Sequence, residues 1–229
     1  MMPYVRLAAR MAFSRFLILV SLSLSAQTPP TAEALGISVG IPPRSSVADY
    51  QAKGTAGDVT IAADFTGHAV PTPQGMFNSE DYVVVEVAFY GPADSKMKLS
   101  WEDFSARFND RKTPNPAVQF GIVFRSLKDP EWQPPVPADG SGGKSKGGIS
   151  SGGGGQQAGD PKPPPPKMPF PLQRAMEQKV QKAALPEGER ALPQAGLIFF
   201  PYRGKVESIK TLELIYNGPA GKTSITIEQ

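Results

Sequence analysis

The fold of this chain is decided by residues 81–90, DYVVVEVAFY, its densest run of β-branched and aromatic residues beyond the N-terminus. Alternate side chains of a strand point to opposite faces of the sheet. One face of this strand therefore carries Val83, Val85, Val87 and Phe89. The opposite face, at 82, 84, 86, 88 and 90, is also mostly apolar. The stretch is expected near the middle of a sheet that is covered on at least one side.

Other segments alternate as strands do or form short apolar runs between turn residues. Strands are predicted in 58–70, 104–108, 118–127 and 196–200, with a short one in 48–53, and 71–79 is interpreted as a loop. Residues 208–217 and 223–228 form a predicted hairpin, and Ser100 is a candidate cap for a helical turn before 104. One helix is predicted with Pro171 in its first turn, because Leu172, Met176 and Val180 recur at helical spacing.

The N-terminus has the pattern of a secretory signal peptide. Three arginines precede a short apolar run that ends in Ser25-Ala26, so 1–26 are expected to be removed, with Met1 or Met11 as the start. An uncleaved membrane anchor is the alternative, but a spanning helix needs about 20 apolar residues. Without 1–26 the 24 basic residues fall to 21 and equal the 21 acidic ones, so a general attraction to nucleic acid is not supported. The predicted location is periplasmic or extracellular.

Two features of composition set the domain plan. The chain has no cysteine, so neither disulfides nor thiolate metal sites are available, and an exported domain must be held by its apolar core. Residues 133–169 are rich in Gly and Pro and poor in large apolar side chains, which is typical of a disordered insertion. We therefore expect a flexible spacer over 27–46 and one β-sandwich domain over 47–229 that 133–169 interrupts.

A resemblance follows from three motifs. The Val-x-Val-x-Val of residues 83–87, the Leu-Ser of 99–100 with Phe104, and the late Gly-Leu-Ile-Phe-Phe of 196–200 resemble the immunoglobulin-like, telokin-like domains of exported bacterial proteins. The match covers roughly 58–128 and 190–228. It implies an all-β, antiparallel immunoglobulin-like β-sandwich with one short helix. It implies at most interaction or assembly as the function, because a fold does not fix an activity.

The sequence predicts no catalytic centre, cofactor or metal site. His68 is the only histidine, so chemistry that needs two imidazoles is excluded. The acidic pairs at 80–81 and 102–103 are neighbours in sequence, and neighbours on a strand point to opposite faces. We expect these acids in solvated turns.

Five residues remain as candidates for contact with a partner or ligand: Trp101, Trp132, Tyr202, Arg203 and Lys205. The aromatic residues would stack on a sugar or a partner if exposed, and would otherwise belong to the core or its rim. The two cations, with Lys210, form a basic patch for an anionic partner or a solvated turn. The predicted function is non-enzymatic protein–protein interaction or self-association in the bacterial envelope, through a sheet edge or the insertion. Carbohydrate binding is the alternative.

Overall fold

The computed structural model describes residues 38–134 and 167–229, which form a mostly antiparallel β-protein with a few short helical segments. The strands are β1 Ala52–Ala56, β2 Val59–Gly67, β3 Ala69–Thr72, β4 Gly75–Ser79, β5 Tyr82–Tyr90, β6 Lys96–Leu99, β7 Phe104–Phe108, β8 Asn115–Pro116, β9 Leu127–Lys128, β10 Gly188–Ala191, β11 Gln194–Pro201, β12 Thr211–Gly218 and β13 Gly221–Glu228. The α-helices are α1 Phe120–Val123 and α2 Phe170–Ala183. Short 3₁₀ turns occupy Val47–Asp49, Trp101–Asp103, Phe124–Ser126 and Val206–Ser208.

Two four-stranded sheets carry the architecture. The first sheet has the order β1-β2-β5-β11 and the second sheet has the order β13-β12-β7-β8. A three-stranded sheet, β3-β4-β9, and a two-stranded sheet, β10-β6, complete the described fold. The pairs β2·β5 and β5·β11 are antiparallel, so β5 lies inside the first sheet as its sequence predicts.

The two large sheets share one apolar core. Val83, Val85, Val87 and Phe89 are at most 1% exposed and belong to this core. Leu212, Leu214 and Tyr216 of the second sheet meet them there, with Ile225 and Ile227 on the neighbouring strand. The predicted packing of the β5 face against apolar side chains is therefore confirmed, and so is the hairpin of β12 and β13.

The outer face of the first sheet is covered as well. Val84 packs in a second cluster with Met176 and Val180 of α2 and with Phe77 of the β3-β4 hairpin. The helix is amphipathic because its buried residues recur every three or four positions, while most of its other positions face solvent. The helix predicted with Pro171 in its first turn is confirmed.

Two local predictions are wrong. Within the strand predicted over 118–127, residues 120–126 form a helical turn, because Phe120, Val123 and Phe124 have the i, i+3, i+4 spacing that places them on the second cluster. Residues 71–79 are mostly a hairpin rather than a loop. Thr72 and Gly75 flank its two-residue turn, and Phe77 is buried. The short strand expected in 48–53 is displaced to 52–56, after a 3₁₀ turn.

Residues 38–50, the N-terminal strap, lie against the outer face of the first sheet. The N–H groups of Val39 and Gly40 donate to the Lys182 carbonyl, at 3.3 and 3.0 Å, and Ile41 N–H donates to Ala195 at 3.1 Å. The structure thus differs from the flexible spacer expected over 27–46 wherever it describes that segment. The predicted signal peptide, residues 27–37 and most of the predicted insertion (135–166) lie outside the described residues.

Candidate functional site

Three of the five candidate contact residues line one groove. This cavity, the Trp132 groove, has a volume of about 770 Å³ and is lined by Trp132, Arg203 and Lys205 together with His68, Glu80 and Glu207, among others. The tryptophan and the two cations are about 70 residues apart in the sequence. Tertiary folding therefore assembles a surface that no single segment contains.

Two loops at one end of the first sheet build the groove. Trp132 closes a turn after β9, in which its N–H donates to the Asp129 carbonyl at 3.2 Å. Arg203 and Lys205 follow β11, whose last residue, Pro201, is opposite Tyr82 at the start of β5. Because β9 pairs with β4, and β4 leads directly into β5, both loops emerge at the same end of the molecule.

The groove carries an equal number of acidic and basic side chains. The acids are Glu80, Asp129 and Glu207, and the bases are Lys128, Arg203 and Lys205. Lys128 pairs with Glu80, and Arg203 Nε lies 3.0 Å from Asp81 Oδ1. Lys205 makes no ion pair within the part of the chain that the structure describes. The surface therefore has mixed charge rather than a single strong sign.

His68 contacts two backbone segments at the groove through its ring nitrogens. Its Nδ1 lies 2.8 Å from the Tyr82 carbonyl oxygen and its Nε2 lies 3.0 Å from the Gly204 carbonyl oxygen. The ring links the β2–β3 turn to the 202–205 loop, which is a structural role.

Tyr202 lies behind the groove, in an adjoining cavity of about 410 Å³ that also contains Tyr82, Arg111 and Asn115. The two cavities share Arg203 and Gly204. The Tyr202 ring packs 4.9 Å from Phe108 between centroids, and its hydroxyl is 2.8 Å from Ser208 Oγ. The ring therefore supports the loop more than it offers a free stacking surface.

Trp101 lies apart from this group. It opens the 3₁₀ turn that Ser100 caps, with Ser100 Oγ accepting from Glu102 N–H at 3.2 Å, and it packs against the main core. Trp101 lines none of the cavities described above. Lys210 is also separate, since its N–H donates to Asn109 Oδ1 at 2.7 Å where β12 begins. The predicted basic patch is therefore reduced to Arg203 and Lys205 on this surface.

The sequence analysis missed a charged network beneath the N-terminal strap. Asp64 and Glu86 are directly opposite each other on β2 and β5, and Glu86 is only 8% exposed. Arg44 of the strap reaches both, at 3.1 Å from Glu86 Oε2 and in a short contact with Asp64. Burial lowers the pKa of the Arg44 guanidinium, but the two carboxylates raise it overall. A lone acid in an apolar strand was the signal, because a buried charge requires a partner.

Among residues 38–134 and 167–229, no group of three or more His, Asp or Glu side chains could hold a metal ion. The described helices are all too short or too polar to cross a membrane. Comparison of the chain with protein-family models, with curated proteins and with solved structures gives no match.

Proposed function

We propose that this protein is an exported, non-enzymatic binding domain that recognises a protein partner in the bacterial envelope through the Trp132 groove. The observation that carries the proposal is the convergence of Trp132, Arg203 and Lys205 on one surface. Trp and Arg are the residue types most enriched among the side chains that dominate binding energy at protein interfaces.

The charge balance of the groove favours a protein over a polyanion. Three acids and three bases along one surface complement a partner segment that also carries both signs. A nucleic acid or an acidic glycan would instead meet repulsion from Glu80, Asp129 and Glu207.

The two edges of the first sheet are poorly suited to pairing with a strand from a partner, which favours binding in the groove. The chain bridges the edge strand β11 at three points, Ile41, Val118 and Ala184. The edge strand β1 lies against β13 of the other sheet, and at Gly54 the approach is close enough that an added Cβ would lie 2.8 Å from Thr223 Oγ1. Covered edges are poor templates for an incoming strand. We therefore place binding in the groove rather than at an edge of the first sheet.

The proposed architecture is an immunoglobulin-like β-sandwich, similar to the telokin-like domains of exported proteins. It is supported by two four-stranded antiparallel sheets that share one core, with the Val-x-Val-x-Val strand inside the first sheet. Loops at one end of such a fold commonly carry binding surfaces.

Carbohydrate binding is the second candidate, because Trp132 is only partly buried and lies among polar side chains of the groove. A two-tryptophan platform is not supported, since Trp101 packs on the core elsewhere. Sugar recognition would therefore depend on Trp132 alone.

A capture experiment from envelope extract tests the proposal. The bait is the mature chain, compared with a triple variant, Trp132→Ala, Arg203→Ala and Lys205→Ala. A control triple variant, Lys53→Ala, Lys96→Ala and Lys98→Ala, removes exposed cations on β1 and β6. A photo-crosslinker at position 205 or 53 identifies direct contact.

We expect the wild type and the control to retain the same protein and the groove variant to lose it, with crosslinking from position 205 only. Equal retention by the groove variant, or crosslinking from position 53 alone, would contradict the proposal. Binding of glycans with loss on Trp132→Ala, and no protein retained, would favour the second candidate.

A further inference from the structure

A third cavity lies between α2 and the helical turn at 120–126. Its volume is about 410 Å³, within the range of small-molecule sites. Its apolar lining comes from Leu127 and Met176, which are buried, and from Phe124, Trp132 and Met168, which are half-buried. The cavity therefore offers aromatic and flexible thioether surface to an apolar group.

Polar groups in this cavity are mostly cationic. Arg125, Lys128 and Lys167 line it against one carboxylate, that of Asp129. Lys128 is already paired with Glu80, and Asp129 Oδ1 accepts the Glu131 N–H at 2.9 Å. Arg125 and Lys167 make no ion pair with any residue in the described ranges. Two cations thus remain available at the cavity for an anion.

Both α1 and α2 also expose apolar side chains outside the cavity. The first turn of α2 carries Phe170 and Leu172, which are 69% and 51% exposed, and α1 carries Ile122, which is 55% exposed. Farther along α2, Met176 and Val180 are buried against the sheet. The first turn is as apolar as the later ones but is left uncovered by the described residues.

We propose that this cavity binds a small amphipathic anion, with an aliphatic or aromatic body on Trp132 and Met176 and a carboxylate held by Arg125 and Lys167. Charge complementarity selects the anion, and the apolar lining selects its body. The cavity shares Trp132, Lys128 and Asp129 with the Trp132 groove. Arg125, Lys167 and Met176 line this cavity and not the groove, so substitutions at Arg125 and Lys167 test this proposal separately from the protein partner proposed above.

The chain contains two tryptophans, which allows a direct test. The variant Trp101→Phe leaves Trp132 as the only tryptophan emitter, and Trp132→Phe leaves Trp101 as the matched control. Both full chains are titrated with hexanoate, octanoate and decanoate below their micelle concentrations, and with decyltrimethylammonium as a cation of similar length.

Decanoate is expected to shift Trp132 emission to the blue, and affinity should rise from hexanoate to decanoate. Trp101 emission should not change with decanoate, and Trp132 emission should not change with the cation. Adding Arg125→Gln and Lys167→Gln to Trp101→Phe should weaken decanoate binding by roughly tenfold or more. Adding Arg174→Gln and Lys112→Gln, which removes the same two residue types outside the cavity, should leave it unchanged.

Three results would overturn the proposal. They are an unchanged Trp132 emission, an equal response to the cation, and decanoate affinity that is indifferent to Arg125→Gln and Lys167→Gln. A fourth concerns the chain itself. If decanoate binds only when 135–166 are replaced by a glycine–serine segment of equal length, the protein's own segment is the occupant and the proposed ligand is wrong.

Discussion

Both faces of β5 are covered, but by different means. Inside, Val83, Val85, Val87 and Phe89 meet a second sheet whose side chains alternate in the same way. Outside, Val84 and Glu86 are covered by segments from distant parts of the chain, namely the N-terminal strap, the turn at 120–126 and α2. Regular alternation is thus enough to specify the inner face, whereas the outer face depends on where irregular segments come to lie.

The two faces also differ in chemistry. The inner face of β5 is purely apolar, so its stability comes from burial and close packing. The outer face includes Glu86 opposite Asp64, two like charges that would repel each other without Arg44. We expect substitutions on the inner face to act through volume and those on the outer face to act through charge.

The largest effect is expected for Phe89→Ala. The Phe89 ring lies 5.9 Å from both Phe104 and Tyr216, between ring centroids, and is 1% exposed. Its removal leaves a cavity between the sheets and should lower the free energy of unfolding by about 3–5 kcal/mol. Denaturant unfolding followed by circular dichroism measures the loss.

The neighbouring Tyr90→Phe is the matched control on the outer face. Its hydroxyl donates to the Arg44 carbonyl at 2.7 Å, so its loss should cost about 1 kcal/mol. If Phe89→Ala cost no more than Tyr90→Phe, the two sheets would not be closely packed at this position.

The loss expected for Arg44→Ala is smaller than that for Phe89→Ala. This variant leaves Asp64 and Glu86 facing each other without a cation. Arg44 is about one-third exposed while both acids are largely buried, so the loss should fall between that of a surface and a buried pair, about 1–3 kcal/mol. Adding Glu86→Gln to Arg44→Ala should recover much of this loss, because one of the two like charges is then absent.

A double-mutant cycle separates this explanation from simple loss of packing. Strong coupling between positions 44 and 86 supports the charge network. Independent, additive effects would mean that Arg44 stabilises the strap only through its stacking over Tyr50, 4.4 Å from the ring centroid.

The sequence predicts the inner face well because one rule, the two-residue period, governs it. The two-residue period does not decide 118–127, where an apolar run without clear alternation favours a strand although Phe120, Val123 and Phe124 fit a helical turn. The hairpin at 71–79 was missed because its prolines suggested a loop, yet Val70 and Phe77 on either side are both buried.

The candidate site was predictable in kind but not in arrangement. Exposed aromatic and cationic residues near turns could be named from the sequence, and Trp132, Arg203 and Lys205 do lie together. Nothing local indicates that β9 and β11 end at the same side of the molecule, or that Trp101 packs on the core instead. Arg44 illustrates the same limit, because its partners are 20 and 42 positions away.

The account depends most on burial of β5 from both sides, and the absence of cysteine allows a direct measurement. Single variants Val84→Cys, Val85→Cys and Thr226→Cys place a thiol on the outer face, on the inner face and on an exposed position of β13. Labelling rates with a thiol reagent under native conditions should be similarly slow for the first two and fast for the third. If Val84→Cys reacted as fast as Thr226→Cys while Val85→Cys stayed protected, the outer face would be open to solvent and the account would be contradicted.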